Sequence, residues 1–335
     1  MENIRTNRVS RTAAASALAI AATIALGAGG ALAGAATASA SALTPTASTT
    51  YTYQTIDNPT DLTFNQLLGI NSAGTIAGYY GIGSAMHPNQ GYTVVPPYGN
   101  SNFTSENFPG SVQTQVTGIN DDPNQDTCGF WVDGKGNNFG FVEWNGSFES
   151  FQDPSTPHMV GRVNQLLGIN DAGIAVGFYT DANGNDHPYA VNQGTDKFRN
   201  FEIEGGVSEL ATGINNNDYV VGFATPADQD TFSFLINDSG ARPQVTTLQF
   251  PGGSDTEALG INDNNEIVGT YVDGSGVMHG FTLTNPYGPD TVWQTIDEPN
   301  AMPGTTVVNG LNNAGDLVGF YEDSNTFTDG FLATP

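Results

Sequence analysis

Glu257-Ala258-Leu259-Gly260-Ile261-Asn262-Asp263-Asn264-Asn265-Glu266-Ile267-Val268-Gly269-Thr270-Tyr271 carries the pattern on which the fold turns. Its Gly-Ile-Asn core also begins at Gly69, Gly118, Gly168 and Gly213 and returns as Gly310-Leu311-Asn312, at intervals of 49, 50, 45, 47 and 50 residues. Six copies at that period, with no helical pattern between them, indicate an array of small β-sheets. In this copy four short strands can be read, at 257–262, 267–271, 279–283 and 291–296. Phe281 and Leu283 alternate with Thr282, the period-2 pattern of a half-buried antiparallel sheet.

Turn residues separate the strands. The first hairpin turns on Asn-Asp-Asn-Asn at Asn262 and on Asn-x-Ala-Gly at Asn71, Asn170 and Asn312; the second turns on Asp273-Gly274-Ser275-Gly276 or Asp133-Gly134-Lys135-Gly136. Gly, Asn and Asp supply the left-handed backbone angles such hairpins need. Four strands repeated six times at about 48 residues match the blades of a β-propeller. An open stack would need distinct capping units, which the array does not show, so a closed ring is expected. The chain is therefore read as all-β, a six-bladed propeller of four-stranded antiparallel blades spanning residues 51–335.

Proline sets the phase of the blades. Pro59, Pro109, Pro154, Pro251 and Pro299 follow the Thr-Ile-Asp-type strand, and a residue that cannot donate to a ladder releases the chain from its sheet. That strand is thus the outer one of the preceding blade. The sixth blade, beginning near Thr306, then owns only three strands, and Tyr51–Asp57 is expected to supply the fourth and clasp the ring.

Residues 1–42 read as a secretory signal peptide: Arg5, Arg8 and Arg11 precede an Ala-rich apolar run, with Ala-x-Ala cleavage sites between Ala36 and Ala42. An uncleaved signal anchor is the competing reading, and both imply export. Residues 43–50, Ser/Thr/Ala-rich with Pro45, read as a linker. Beyond the leader, five basic residues (Lys135, Arg162, Lys197, Arg199, Arg242) face 33 acidic ones, a net charge near −28. Nucleic acid and anionic membrane surfaces are poor partners for such a chain. Glycans, a cell-surface protein and cations remain open, and the chain is expected to act as a monomer. One cysteine, Cys128, rules out an internal disulfide framework.

The string Gly-Ile-Asn, small turn, Ile-Val-Gly, aromatic, Asp-Gly turn, His-Gly-Phe, complete over residues 260–281, resembles the unit of the bacterial extracellular HAF repeat family, and the likeness covers all six units. The histidine of the last motif is present as His87, His187 and His279 but is replaced by Phe139, Phe232 and Asp329 in the other units. The resemblance implies an exported repeat domain and supplies no activity.

Candidate site residues each have a structural alternative. Asn71, Asn120, Asn170, Asn215, Asn262 and Asn312 would ring the propeller axis at one height, or hold the turns they begin through Asx hydrogen bonds, the reading preferred here. His87, His187 and His279 are spread over blades, against a shared zinc site. The first turn of unit two carries two extra residues and contains Asp121, Asp122 and Asp126, calcium candidates because hard cations take several oxygens from a flexible loop. Asp181, Asn183, Asn185 and Asp186 have calcium-loop spacing without the Gly and Glu of an EF-hand. No resident cofactor is indicated. No nucleophile elbow, His-Glu-x-x-His or phosphate loop is present, and Cys128 reads as a strand residue. Trp131, Trp144 and Tyr80 are candidates to stack on sugars, with burial the alternative. The expected function is a binding or surface-interaction module. The alternatives are a glycoside hydrolase or polysaccharide lyase on the same propeller and a structural envelope protein.

Overall fold

The computed structural model describes residues 49–335 with the exception of 228, 240–242 and 289. The expected signal peptide and most of the linker lie outside the described residues. Twenty-four strands form six four-stranded antiparallel sheets arranged as a six-bladed β-propeller. The innermost strands are Asn65–Ile70, Gln113–Ile119, Asn164–Ile169, Ser208–Ile214, Ser254–Ile261 and Val307–Leu311. Every blade continues outward in sequence order, and five end on their own outer strand: Phe103–Ser105, Ser147–Phe151, Lys197–Asn200, Gln244–Leu248 and Val292–Ile296. One turn of 3-10 helix, Asn100–Asn102, is the sole helical element among the described residues.

The recurring glycines mark places where a side chain has no room. The glycine of Ile-Val-Gly lies across from a bulge in the innermost strand, between Leu166 and Gly168 in the third blade and at the matching place in the other five. A Cβ on Gly177 would stand 1.9 Å from the Gln165 carbonyl oxygen, and Gly222, Gly269 and Gly319 are equally tight. The glycine of Gly-Ile-Asn meets its counterpart in the next blade: a Cβ on Gly168 would stand 2.9 Å from the Gly213 Cα. The same approach runs from Gly69 to Gly118 and so on to Gly310, which returns to Gly69. Bulges twist strands and kink them locally. Here they bring six backbones together at the axis.

The residue preceding this glycine alternates around the ring. In the second and fourth blades it is Thr117 and Thr212, whose hydroxyls donate to Leu166 O and Ala258 O of the following blades at 2.9 and 2.8 Å. In the sixth it is Asn309, whose Nδ2 donates to Leu67 O at 3.2 Å. In the odd blades the position holds Leu68, Leu167 and Leu259.

The apolar core is divided among the contacts between blades. Val176, Phe201 and Ile203 of the third blade pack on Ala211, Val220 and Phe234 of the fourth. Tyr92, Phe141, Tyr189, Phe234, Phe281 and Phe331, all on third strands, are fully buried. Where this aromatic follows glycine, the missing side chain admits the neighbouring blade: a Cβ on Gly280 would lie 2.5 Å from Val308 Cγ2. Burying one such aromatic contributes about 1.5–3 kcal/mol, so each interface supplies only a share of the stability. No blade holds a core of its own.

The ring closes as the phase of the prolines predicts. Thr52–Thr55 pairs antiparallel with Thr328–Thr334, with Thr52 opposite Thr334 and Thr55 opposite Phe331. Ile56 N–H donates to Gly330 O, and Gly330 N–H donates to Asp57 Oδ1 at 3.0 Å. Across the closing contact, Ile56, Val318 and Leu332 pack on Leu67, Ile76 and Tyr92 of the first blade. Removal of residues 49–57 is expected to lower the melting temperature by more than about 10 °C and to produce self-association through the bared edge at Thr328–Thr334. Differential scanning fluorimetry with light scattering reads both effects, and a monomer of unchanged melting temperature would contradict the clasp.

Several half-buried or buried carboxyls are held above the ordinary range, chiefly by desolvation; among them Asp57, Glu106 and Glu257 rise to about 7 and Asp329 to about 6. The folded chain therefore keeps protons that the unfolded chain releases between about pH 4 and 7, and stability falls as pH rises through that window. The melting temperature is expected to be higher at pH 5 than at pH 8 by several degrees. Asp57→Asn, which keeps an oxygen for the Gly330 N–H, should flatten the curve; an unchanged slope in that variant would exclude Asp57 as a source of it.

Candidate functional site

The six asparagines of Gly-Ile-Asn stand at the mouth of the axis, each 3–4 % exposed. Each Nδ2 donates to the backbone carbonyl of the corresponding asparagine in the next blade. The bonds run Asn71 to Asn120 (3.2 Å), Asn120 to Asn170 (3.3 Å), Asn170 to Asn215 (3.2 Å), Asn215 to Asn262 (2.9 Å), Asn262 to Asn312 (3.0 Å) and Asn312 back to Asn71 (3.3 Å). In five blades the side-chain oxygen also accepts two backbone N–H groups of its own turn, as Asn170 Oδ1 does from Ala172 and Ile174. The Asx reading of the sequence thus describes half of each amide; the other half joins the blades.

A second ring, open between Asn313 and Ser72, lies one residue on. Asp121 Oδ1 accepts from Ser72 N, Asp171 from Asp121 N, Asn216 from Asp171 N, Asp263 from Asn216 N and Asn313 from Asp263 N, at 2.6–2.9 Å. Three aspartates therefore face the mouth. Desolvation raises Asp171, and the charges of Asp121 and Asp263 push the same way against the N–H of Asp121. The two rings enclose a cavity of only about 60 Å³. Small-molecule pockets start near about 300 Å³, so the axis has room for water rather than a substrate.

The calcium candidates separate. Asp121 is committed to the first blade through Ser72 N and Oγ, whereas Asp122 and Asp126 stay in the inserted turn. The loop at Asp181 is satisfied from within: its Oδ1 accepts from Asn183 N and Asn185 N at 2.7 and 3.0 Å. Desolvation works upward on this carboxyl, but these donors and His187 outweigh it and bring Asp181 down to about 2. Among the described residues no three carboxylate, histidine or cysteine side chains gather closely enough to hold a metal between them.

The histidines brace the second hairpin of their blades. His279 stacks on Tyr271 and is flanked by Asp297, 2.9 Å from Nδ1, and Asp273, 3.5 Å from Nε2. His187 repeats the stack on Tyr179 beside Asp181, and Phe139 takes the place of histidine by stacking on Trp131. His87 is exposed. Cys128 is fully buried in its strand, and burial pushes its thiol up to about 12, so it is no nucleophile at neutral pH.

None of the aromatics singled out from sequence stands free. Trp131 lies between Phe108 and Phe139, with ring centroids at 4.4 and 4.7 Å; Trp144 packs over Gly173; Tyr80 packs on Tyr92. Two aromatics among the described residues are exposed, Phe327 at 40 % and Tyr287 at 50 %, the latter in the turn between the third and fourth strands of the fifth blade. Its ring leans on Tyr219 of the fourth blade at 5.6 Å. Asn264, Asn265, Asn285, Tyr287 and Asp290 line a cavity of about 340 Å³. Thr291 Oγ1 ties the loop by donating to Asn285 O and Gly288 O at 2.9 and 2.7 Å. The sequence held a signal for this site, Pro286-Tyr287-Gly288, an aromatic placed inside a turn.

No protein-family model matches the chain, and no curated protein does. Solved structures match in fold. AofleA from Arthrobotrys oligospora is 10 % identical with a TM-score of 0.51, over 84 % of this chain and 86 % of that one. The fucose-specific lectin from Aleuria aurantia is 12 % identical with a TM-score of 0.50, over 81 % and 91 %. The subtype N11 neuraminidase-like protein of A/flat-faced bat/Peru/033/2010 (H18N11) is 11 % identical with a TM-score of 0.50, over 85 % and 93 %. At these identities the likeness is one of architecture.

Asn170→Ala removes one donor and one doubly used acceptor from the buried ring and is expected to cost about 2–4 kcal/mol of unfolding free energy. Asn120→Ala should cost less in the absence of divalent cations, because its Oδ1 accepts no hydrogen bond. Urea titrations of the two variants check the order, and equal losses would contradict the division of labour described for the amide.

Proposed function

We propose that the chain is an exported binding module that recognises neutral glycans at the Tyr287 pocket. The observation that carries this reading is an exposed tyrosine ring beside three asparagines and a carboxylate, around a volume within the range of small-molecule sites. Sugars present apolar C–H faces that pack on aromatic rings and hydroxyls that both donate and accept, which amides and carboxylates can match. A net charge near −28 beyond the leader favours uncharged saccharides over acidic ones. The leader and the resemblance to the extracellular HAF repeats belong to the same proposal. The Aleuria aurantia protein, a fucose-specific lectin, is a solved structure of like fold with sugar specificity.

A hydrolase would set two carboxyl groups across the scissile bond, about 5–9.5 Å apart. The Tyr287 pocket is lined by one, Asp290. Binding is therefore the reading the geometry favours. On a glycan array the full chain is expected to retain neutral glycans, and Tyr287→Ala is expected to lose at least tenfold in affinity with its melting temperature unchanged. Absence of any bound glycan, or undiminished binding by Tyr287→Ala, would overturn the assignment.

A further inference from the structure

The first hairpin turn of the second blade spans nine positions from Asn120 to Gly129, where its counterpart from Asn71 to Gly78 spans seven. The insertion changes what the turn offers its asparagine. In the other five blades the amide oxygen accepts two backbone N–H groups, but Asn120 Oδ1, in a residue 3 % exposed, has no hydrogen-bond partner. Asn120 Nδ2 keeps its place in the ring, donating to Asn170 O. The amide is therefore oriented as in the other blades, with its oxygen facing into the turn.

Asp126 occupies the same turn and is 0 % exposed. Its Oδ1 accepts from Asn145 N at 2.9 Å, while Oδ2 has no partner. Besides burial, the Asp122 carboxyl, within hydrogen-bonding reach of this one, pushes it up, the N–H side of the Asn120 amide works the other way, and Glu143 on the adjacent strand adds a further negative charge. No lysine, arginine or histidine among the described residues forms an ion pair with Asp122, Asp126 or Glu143. Two carboxylates thus meet in this turn with no basic side chain paired to them, in the same turn as a buried amide oxygen that has no partner. An unpartnered buried carboxylate is costly, and a bound cation relieves that cost.

We propose that the inserted turn is a calcium site in which Asp126 Oδ2, the Asp122 carboxylate and Asn120 Oδ1 supply protein ligands and water completes the shell. Calcium takes six to eight hard oxygens in flexible geometry, whereas magnesium demands a near-ideal octahedron that a turn of this kind does not impose. The turn also joins the first two blades: Asn120 O accepts from Asn71 Nδ2, Asp121 holds Ser72, and Thr75 Oγ1 donates to Gln125 Oε1 at 2.7 Å. Calcium would therefore stiffen the ring at this joint.

The test uses the full chain stripped with a chelator. Addition of 5 mM calcium is expected to raise the melting temperature by about 3–5 °C, consistent with the submillimolar to millimolar affinities of extracellular sites. Magnesium should have a much smaller effect. Terbium luminescence excited through tryptophan should appear on titration and be displaced by calcium. Asp122→Asn and Asp126→Asn should each abolish the shift and the luminescence. Because Asp126→Asn alters a buried group, Asp122→Asn and Asn120→Ala serve as variants whose folding is checked by their melting curves without metal. No calcium response in the native chain, or a response retained by both aspartate variants, overturns the proposal. The outcome is independent of glycan binding, which is read at Tyr287 in the fifth blade.

Discussion

The structure depends on the close approach of six backbones at the axis. The glycines of Gly-Ile-Asn meet neighbour to neighbour with no space for a side chain, and the asparagines above them close a ring of amide-to-carbonyl hydrogen bonds. Each blade buries its apolar face against the next, so none is stable alone, and the polar ring fixes their order and spacing. The axis is thereby filled. The proposed recognition therefore falls to the turns, where the blades differ.

That division explains what the sequence could and could not disclose. The period, the four strands, the outer position of the Thr-Ile-Asp strand and the clasp by Tyr51–Asp57 were all legible, because turn residues and prolines report backbone requirements directly. Asn71 and its equivalents were legible as turn-formers and as a circle at one height, but not as a hydrogen-bonded ring, since contacts from blade to blade span some 50 residues and leave no local pattern. His279 and His187, read from sequence as too far apart for a shared zinc site, are stacked braces beside tyrosines and aspartates, a packing that the sequence left open.

The candidate sites were less readable for the same reason. Asp121, Asp122 and Asp126 are near in sequence, yet the ladder that carries Asp121 toward Ser72 parts it from the other two. The oxygen proposed to join them at a cation, on Asn120, belongs to a repeated position whose other five copies accept hydrogen bonds from their own turns. Tyr287 sat in a plain turn motif, and only the packing of Tyr219 against it and the asparagines beside it make it the wall of a cavity. A repeat advertises its shared scaffold, while binding lives where one copy departs from it.

The central claim is that the strand at Thr52–Thr55 closes the ring on Thr328–Thr334, and a cross-link tests it most directly. Because Ile56 N–H bonds to Gly330 O, Tyr53 and Ala333, three steps along, form a non-hydrogen-bonded pair whose Cα atoms approach to about 4.5 Å. In a Tyr53→Cys, Ala333→Cys double variant, oxidation is expected to give an intramolecular disulfide and a higher melting temperature on non-reducing analysis. Thiols that stay free, or that link only one molecule to another, would contradict it.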